Sequence, residues 1–126
     1  FCVIGDGEAN EGTIWESCLM ASRNKLNNLV CIIDNNSSQT RSLQVENLSN
    51  KFQAFGWEVW DIDGHDIKML SRAIIDRTLD KRPLAVVANT VKGKGVSEME
   101  SDMFAWHHRA PSEDEYKRFV REIDES

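Results

Sequence analysis

The chain has 126 residues and a mass of 14.4 kDa, the size at which one sheet with helices on it forms a single domain. Its net charge of −6 and isoelectric point near 5.0 exclude the basic field that attracts nucleic acid or an anionic membrane surface. No apolar run approaches the roughly 18 residues of a membrane-spanning helix, and no charged-then-apolar leader opens the sequence. We therefore expect a cytoplasmic protein that binds neither nucleic acid nor a membrane.

Two short apolar runs open the predicted fold. Residues 1–4 and 29–33 are continuously apolar and partly β-branched, which is typical of strands that are covered on both faces. Between them, four residues recur at helical spacing: Ile14, Trp15, Cys18 and Leu19. The helix is expected to end near Asn24, so this half of the chain predicts one strand–helix–strand unit.

A second alternation of strand and helix follows. Residues 59–62 and 84–88 are predicted strands, and Pro83 stands at the start of the latter, where its missing N–H does little harm. A helix is predicted to begin after Asp66. Its expected core face consists of Ile67, Leu70, Ile74 and Ile75. Alternating strands and helices predict an α/β fold: a doubly wound, mainly parallel sheet with helices on both faces and right-handed crossovers.

The last part of the chain is predicted to be less regular. Residues 97–111 contain no glycine and mix polar with apolar side chains, so we expect a long loop at the active edge of the sheet. Ser112 is predicted to cap a polar helix that runs from about Glu113 to Ile123. We expect this helix to act as a lid or as a docking element.

The three cysteines give no signal of a metal site or a disulfide framework. Cys2, Cys18 and Cys31 are odd in number and form no CxxC pair. Two of them lie in predicted strands and one on an apolar helix face, so we expect buried, reduced thiols.

Polar residues follow the predicted strands, and they indicate where a ligand binds. Asp6, Asn36, Asp63 and the loop at 92–95 each come after a strand, so all are expected at the edge of the sheet where parallel α/β folds bind ligands. Glycines on both sides of Asp6 are expected to remove Cβ clashes and to let the backbone approach phosphate oxygens. A Gly-Asp-Gly segment alone is more often just a tight turn. An Asn at the tip of the next strand favours a hard divalent cation that anchors a diphosphate.

Nine segments carry a family resemblance, and they occur in the family's order. They are Gly5-Asp6-Gly7-Glu8, Asn10-Glu11-Gly12, Trp15-Glu16, Asp34-Asn35-Asn36, Ala54-Phe55-Gly56-Trp57, Asp63-Gly64-His65-Asp66, Val91-Lys92-Gly93-Lys94-Gly95-Val96-Ser97, Trp106-His107 and Ala110-Pro111. Almost from end to end the chain resembles the amino-terminal, diphosphate-side half of transketolases. It is most similar to the amino-terminal subunit of transketolases that are split into two subunits.

The resemblance implies the cofactor and its ligands. The implied cofactor is thiamine diphosphate with Mg²⁺, or with Ca²⁺ or Mn²⁺ in its place. The implied metal ligands are the side chains of Asp6 and Asn36 and the backbone carbonyl of Ser38. The implied cofactor contacts are Asp6, Gly7, Glu8, Asn36, Ser38 and His107.

Two catalytic residues are implied by the same resemblance, and each has a plainer alternative. Glu11 matches a glutamate in a polar network near the dimer interface, but an acid in the first helical turn is also favoured by the helix dipole alone. His107 matches the histidine that contacts cofactor and substrate, whereas counting back from Pro111 favours His108. A surface histidine is the plainer interpretation.

The implied activity is transfer of a two-carbon ketol unit from a ketose phosphate to an aldose phosphate. Residues 1–126 then form one partial diphosphate-binding domain that is incomplete at its amino terminus and holds half of an active site. The expected partner is a pyrimidine-binding domain or the C-terminal transketolase subunit, in a homodimer or heterotetramer. Other thiamine-diphosphate enzymes stay open as alternatives, namely a 2-oxoacid dehydrogenase α subunit or deoxyxylulose-phosphate synthase, as does a non-catalytic scaffold. The segment between Asn36 and Lys51 is shorter than in most relatives and lacks their Ile-Asp-Gly, which bears on substrate choice.

Overall fold

The computed structural model describes residues 1–38, 45–78 and 80–125. The chain divides into two compact units, Phe1–Thr90 and Val91–Ser126. No helix within the described ranges is long and apolar enough to cross a membrane.

The first unit is built on a four-stranded sheet. Its strands are β1 (Cys2–Gly5), β2 (Val30–Asn35), β3 (Glu58–Asp63) and β4 (Leu84–Asn89). They pair in the order β1-β2-β4-β3, and every pairing is parallel. The four predicted strands are therefore confirmed, with bounds that differ by a residue or two.

Helices cover both faces of this sheet, as predicted. They are α1 (Gly12–Arg23), α2 (Leu48–Ala54) and α3 (Ile67–Ile75). Because side chains alternate along a strand, Cys31 and Ile33 of β2 join a core cluster with α1 and α2, while Val30 joins a second cluster with α3. Asp66 caps α3 by accepting hydrogen bonds from two backbone N–H groups, which confirms the predicted start of that helix.

Two expectations about burial are wrong. Val3 is 68% exposed, because β1 is an edge strand whose second face α3 does not cover. Ile67 and Ile75 are 76% and 78% exposed, and α3 instead buries Ala73 and packs its Leu70 against the sheet. The predicted core face of α3 is therefore confirmed for Leu70 and wrong for Ile67 and Ile75, whereas the fully buried Ala73 was not predicted.

The cysteines also depart from expectation in one respect. All three are free thiols, and Cys18 and Cys31 are buried, but Cys2 is exposed on the edge strand. Its Sγ lies 3.6 Å from Cys31 Sγ, since the two residues are direct partners in the sheet. Burial raises the pKa of the Cys18 thiol to about 11, so this side chain is an inert part of the core.

The second unit contains more helix than predicted. Helix α4 (Ser97–Ser101) and a 3₁₀ turn (Ala105–His107) occupy the segment that was expected to be a long loop. Helix α5 (Glu113–Asp124) begins at a capping box, in which Ser112 and Glu115 each accept from the other's backbone N–H, as the predicted cap requires. Phe119 of α5 is buried, and its ring meets Trp106 edge-on at 5.2 Å.

Candidate functional site

Asp6 is a buried carboxylate at the carboxyl end of β1. The residue is 7% exposed, and its backbone N–H donates to the Asp34 carbonyl at 3.0 Å, which ties the turn to β2. Among the described residues, its carboxylate accepts one hydrogen bond, from Ser38 Oγ at a long 3.4 Å. A buried anion needs more compensation than one long hydroxyl contact. The site is therefore suited to a cation.

Asn36 and Ser38 are brought beside Asp6 by a tight turn at the end of β2. Ser37 has φ 61°, in the left-handed region, so the chain reverses there. The Ser38 backbone N–H then donates to Asn36 Oδ1 at 3.0 Å, while its hydroxyl reaches Asp6. The structure thus brings together the three residues that the sequence predicts as metal ligands. Their role as ligands stays a prediction.

The chemistry of these donors fits a hard divalent ion. A carboxylate and an amide oxygen are the ligand types that Mg²⁺ accepts in proteins, together with water and phosphate oxygens. Within the described ranges, no three His, Cys, Asp or Glu side chains form a group that could hold a metal. A cation at Asp6 would therefore depend on amide and backbone oxygens beside one carboxylate.

Gly5 and Gly7 flank Asp6 in the turn that follows β1. A Cβ added to Gly5 would meet no heavy atom nearer than 3.9 Å, and Gly7 has an ordinary φ of −65°. At Gly5, therefore, no contact with the described residues requires a glycine. The expectation that the two glycines let phosphate oxygens approach the backbone stays a prediction. Glu8 is exposed, and its Oε2 accepts from the Gly5 backbone N–H at 2.8 Å, which braces the turn from outside.

Glu11 stands at the N-cap position of α1 and is exposed. Its side chain makes no capping hydrogen bond, so the helix start does not depend on the carboxylate as a cap. The adjacent turn is fixed by Trp15, whose indole N–H donates to the Ala9 carbonyl at 2.9 Å. The predicted role of Glu11 in a network with a partner chain is not tested by these contacts.

His107 belongs to the second unit, so the structure divides the predicted site residues into two groups. Its Nδ1 lies 2.6 Å from Lys92 Nζ, and its ring contacts that of His108 edge-on at 4.3 Å. The Lys92 ammonium, and then His108, lower the pKa of His107 below its ordinary value. Since an ammonium only donates, Nδ1 accepts and the ring proton is on Nε2.

Sequence reasoning missed a set of polar contacts between the strand ends. Asn35 Nδ2 donates to Asn89 Oδ1 at 2.7 Å, and Asn89 Nδ2 donates to Asp61 Oδ1 at 2.6 Å. These contacts join β2, β4 and β3 at the edge where Asp6 lies. The available signal was the polar residue at each strand end, but the pairing depends on the strand order, which no pattern in the sequence gives.

Comparison with known proteins places these features in a family. A family model described as "Transketolase, thiamine diphosphate binding domain" matches residues 1–123. The chain belongs to the transketolase family. Its predicted family and α/β fold are thereby confirmed, and the matched region is the family's thiamine-diphosphate-binding domain.

Individual relatives agree in sequence and in fold. The chain is 37% identical over 132 residues to an apulose-4-phosphate transketolase subunit of Phocaeicola vulgatus, in an alignment that covers 99% of this chain and 46% of that protein. It is 36% identical over 130 residues to "Transketolase-like protein 2" of Mus musculus, with 98% and 21% covered. The crystal structure of transketolase from Campylobacter jejuni superposes with a TM-score of 0.83 at 32% identity, covering 98% of this chain and 20% of that one. This transketolase-family chain therefore spans about half the length of the Phocaeicola vulgatus protein and about a fifth of the other two.

The shortened segment that the sequence predicts between Asn36 and Lys51 can be located only in part. Residues 39–44 lie outside the described residues. Of the rest, residues 48 to 51 form the first turn of α2, whose N-cap Asn47 accepts from the Asn50 backbone N–H. This helix was not among the predicted elements, although Leu48, Phe52 and Phe55 already had helical spacing.

Proposed function

We propose that this chain supplies the metal- and diphosphate-binding half of a thiamine-diphosphate-dependent transketolase. The enzyme transfers a two-carbon ketol unit from a ketose phosphate to an aldose phosphate. The observation that carries the proposal is the buried, weakly hydrogen-bonded carboxylate of Asp6 beside Ser38 and Asn36, in a chain of the transketolase family.

Asp6 and Asn36 would hold the cation through their side-chain oxygens, and Ser38 through its backbone carbonyl. Mg²⁺ fits this donor set, with Ca²⁺ or Mn²⁺ as substitutes, and diphosphate oxygens and water would complete the shell. The space beside Gly5 would let a diphosphate approach the backbone, and Glu8 braces that turn. When bound, the cofactor supplies the carbanion chemistry, while the protein positions it and supplies charge.

We also propose catalytic roles for His107, which lies in the second unit, and for Glu11, which lies in the first. With Nδ1 held by Lys92, His107 would present its Nε2–H as a donor to an oxygen of cofactor or substrate. Glu11 is exposed at the start of α1, where it would join a polar network with a partner chain.

A partner is part of the proposal, since the relative from Phocaeicola vulgatus is itself one subunit of a transketolase and so implies another. We propose that residues 1–126 act as one domain that pairs with a pyrimidine-binding domain or a C-terminal transketolase subunit. The assembly would be a homodimer or heterotetramer in the cytoplasm that acts on sugar phosphates.

Reconstitution tests this proposal. The chain is mixed with a pyrimidine-binding C-terminal transketolase subunit, thiamine diphosphate and Mg²⁺, and ketol transfer is measured with ketose phosphate and with 2-oxoacid donors. We expect turnover of the ketose phosphate only in the mixture, and its loss with Asp6→Ala. Asp63→Asn is the matched control, because Asp63 also ends a strand but its carboxylate accepts from the His65 backbone N–H. Undiminished transfer by the Asp6→Ala mixture, or a preference for 2-oxoacids, would contradict the proposal.

A further inference from the structure

Asp34 contacts two of the three candidate metal ligands, Asp6 and Asn36. Its backbone carbonyl accepts from the Asp6 N–H at 3.0 Å, and its carboxylate Oδ2 accepts from Asn36 Nδ2 at 2.7 Å. The side chain is half-buried at the end of β2. Asp34 is therefore placed to fix the geometry of the site without being a ligand itself.

Thr90 holds the other oxygen of the same carboxylate. It directly follows β4, and its hydroxyl Oγ1 donates to Asp34 Oδ1. Its backbone N–H donates to the Asn35 carbonyl at 3.2 Å, which secures it beside the tip of β2. Each carboxylate oxygen of Asp34 thus has its own donor, so the carboxylate plane has little freedom to rotate.

Gly64 makes room for Thr90. A Cβ at Gly64 would lie 2.4 Å from Thr90 Cγ2, closer than real Cβ atoms come to other atoms, and at a tight 3.0 Å from Ala88 Cβ. The Gly64 backbone N–H also donates to the Asn89 carbonyl at 2.8 Å, so the loop cannot retreat without losing that hydrogen bond. A glycine is required here because the threonine methyl occupies the space of its missing side chain.

We infer that Gly64, Thr90 and Asp34 form a positioning chain that fixes the carboxamide of Asn36 with its oxygen available to the cation. The two ends of a carboxamide are nearly equal in shape but opposite in hydrogen bonding, and only the oxygen binds a metal. A carboxylate accepts and never donates when ionised, so Asp34 selects the nitrogen of Asn36 and leaves the oxygen free for Ser38 and a ligand. The inference rests on the proposed function, in which Asn36 is a metal ligand.

Thr90→Val tests the chain with little change in shape, since it replaces the hydroxyl with a methyl group. In the assembly with the C-terminal subunit, Mg²⁺ is titrated in the presence of thiamine diphosphate by calorimetry, and Mn²⁺ by electron paramagnetic resonance. Loss of an outer partner of a metal ligand typically weakens metal binding 10–100-fold, so we expect a loss of about tenfold with Thr90→Val. Thr90→Ser keeps the hydroxyl and should bind within about twofold of wild type.

A second readout needs no ligand at all. In the metal-free protein, the side-chain amide protons of Asn36 should exchange with water more slowly than those of the exposed Asn50, because Asp34 holds them. Gly64→Ala and Thr90→Val should both speed that exchange. Exchange of Asn36 as fast as that of Asn50 in wild type, or wild-type metal affinity in Thr90→Val, would overturn the inference. If wild type itself binds no metal, the proposed function fails, and the amide exchange still decides whether the positioning chain exists.

Discussion

A cation would complement both Asp6 and Asn36, but for different reasons. Asp6 is a nearly buried anion whose carboxylate accepts one hydrogen bond among the described residues, at 3.4 Å. Asn36, in contrast, is held at both ends of its carboxamide, by Asp34 and by the Ser38 N–H. An under-compensated carboxylate beside an oriented amide is unfavourable for the empty protein and favourable for a metal site. Such local conflicts are expected where function, rather than folding, selects the residue.

The Lys92–His107 contact predicts a lowered pKa for His107. The Lys92 ammonium lowers the pKa of His107 below its ordinary 6.5, and His108 lowers it further. Because the pKa of His107 is lower in the folded than in the unfolded chain, the unfolded chain binds the proton first as pH falls. The free energy of unfolding therefore decreases as pH falls below 6.5. NMR titration should place the His107 pKa below 6.5, and Lys92→Gln should raise it.

Lys94→Gln is the matched control for that titration. Lys94 lies on the same loop, but its ammonium is 3.8 Å from Glu100 instead of near a histidine. An equal rise of the His107 pKa in both variants would show that general charge, not the Lys92 contact, sets it.

Helix α2, the next helix after β2, is packed into the core through one aromatic residue. Phe52 is fully buried, with its ring 5.4 Å from that of Trp15 and 5.5 Å from that of Trp57. Trp57 in turn donates from its indole to the Cys18 carbonyl of α1 at 3.1 Å. The helix that follows the candidate metal turn is thus anchored in the same core cluster as the helix that follows Asp6.

Phe52→Ala should therefore destabilise the protein strongly. Removing a fully buried phenylalanine typically costs about 3–5 kcal/mol, because the cavity is only partly refilled. Urea denaturation measures the loss. Ile67→Ala is the control, since Ile67 is exposed on α3, and surface changes of this kind usually stay within about 0.5 kcal/mol. Equal losses in the two variants would mean that α2 does not pack as described.

The start of α5 predicts a second pH dependence. Arg109, and then the Ser112 backbone N–H, lower the pKa of Glu115 to about 2. A depressed carboxyl pKa stabilises the helix above the ordinary value of 4.5, and this contribution is lost as pH falls from there through about 2. Protection of the first-turn amides of α5 against exchange, corrected for the intrinsic rate at each pH, should decrease over that range in wild type but not in Glu115→Gln. Glu113→Gln, which removes an exposed partner of Lys117, should behave like wild type.

For the whole molecule, the sequence predicted the elements better than the contacts between them. The four strands, α1, α3 and α5 follow from hydrophobic periodicity and from caps at Asp66 and Ser112. The core face of α3 could not be predicted in this way, because the decisive residue is the small Ala73. The positioning role of Thr90 was also hidden, since it depends on β4 lying between β2 and β3.

The candidate site shows the same division. Asp6, Asn36 and Ser38 were predicted from a turn motif and a family resemblance, and the structure brings them together. Asp34, Thr90 and Gly64 carry no signature by themselves, because a strand-end acid, a threonine and a turn glycine are common. Only the distances between them indicate a role.

The most direct test of the proposed half-site is calorimetric titration of thiamine diphosphate, with and without Mg²⁺, into this chain mixed with the C-terminal transketolase subunit that we propose as its partner. We predict binding heat that requires Mg²⁺ in wild type and in Asp63→Asn, and that disappears in Asp6→Ala. Equal heat without Mg²⁺, or from the Asp6→Ala assembly, would contradict the account, because the cofactor would then be held without the cation that Asp6 is proposed to bind.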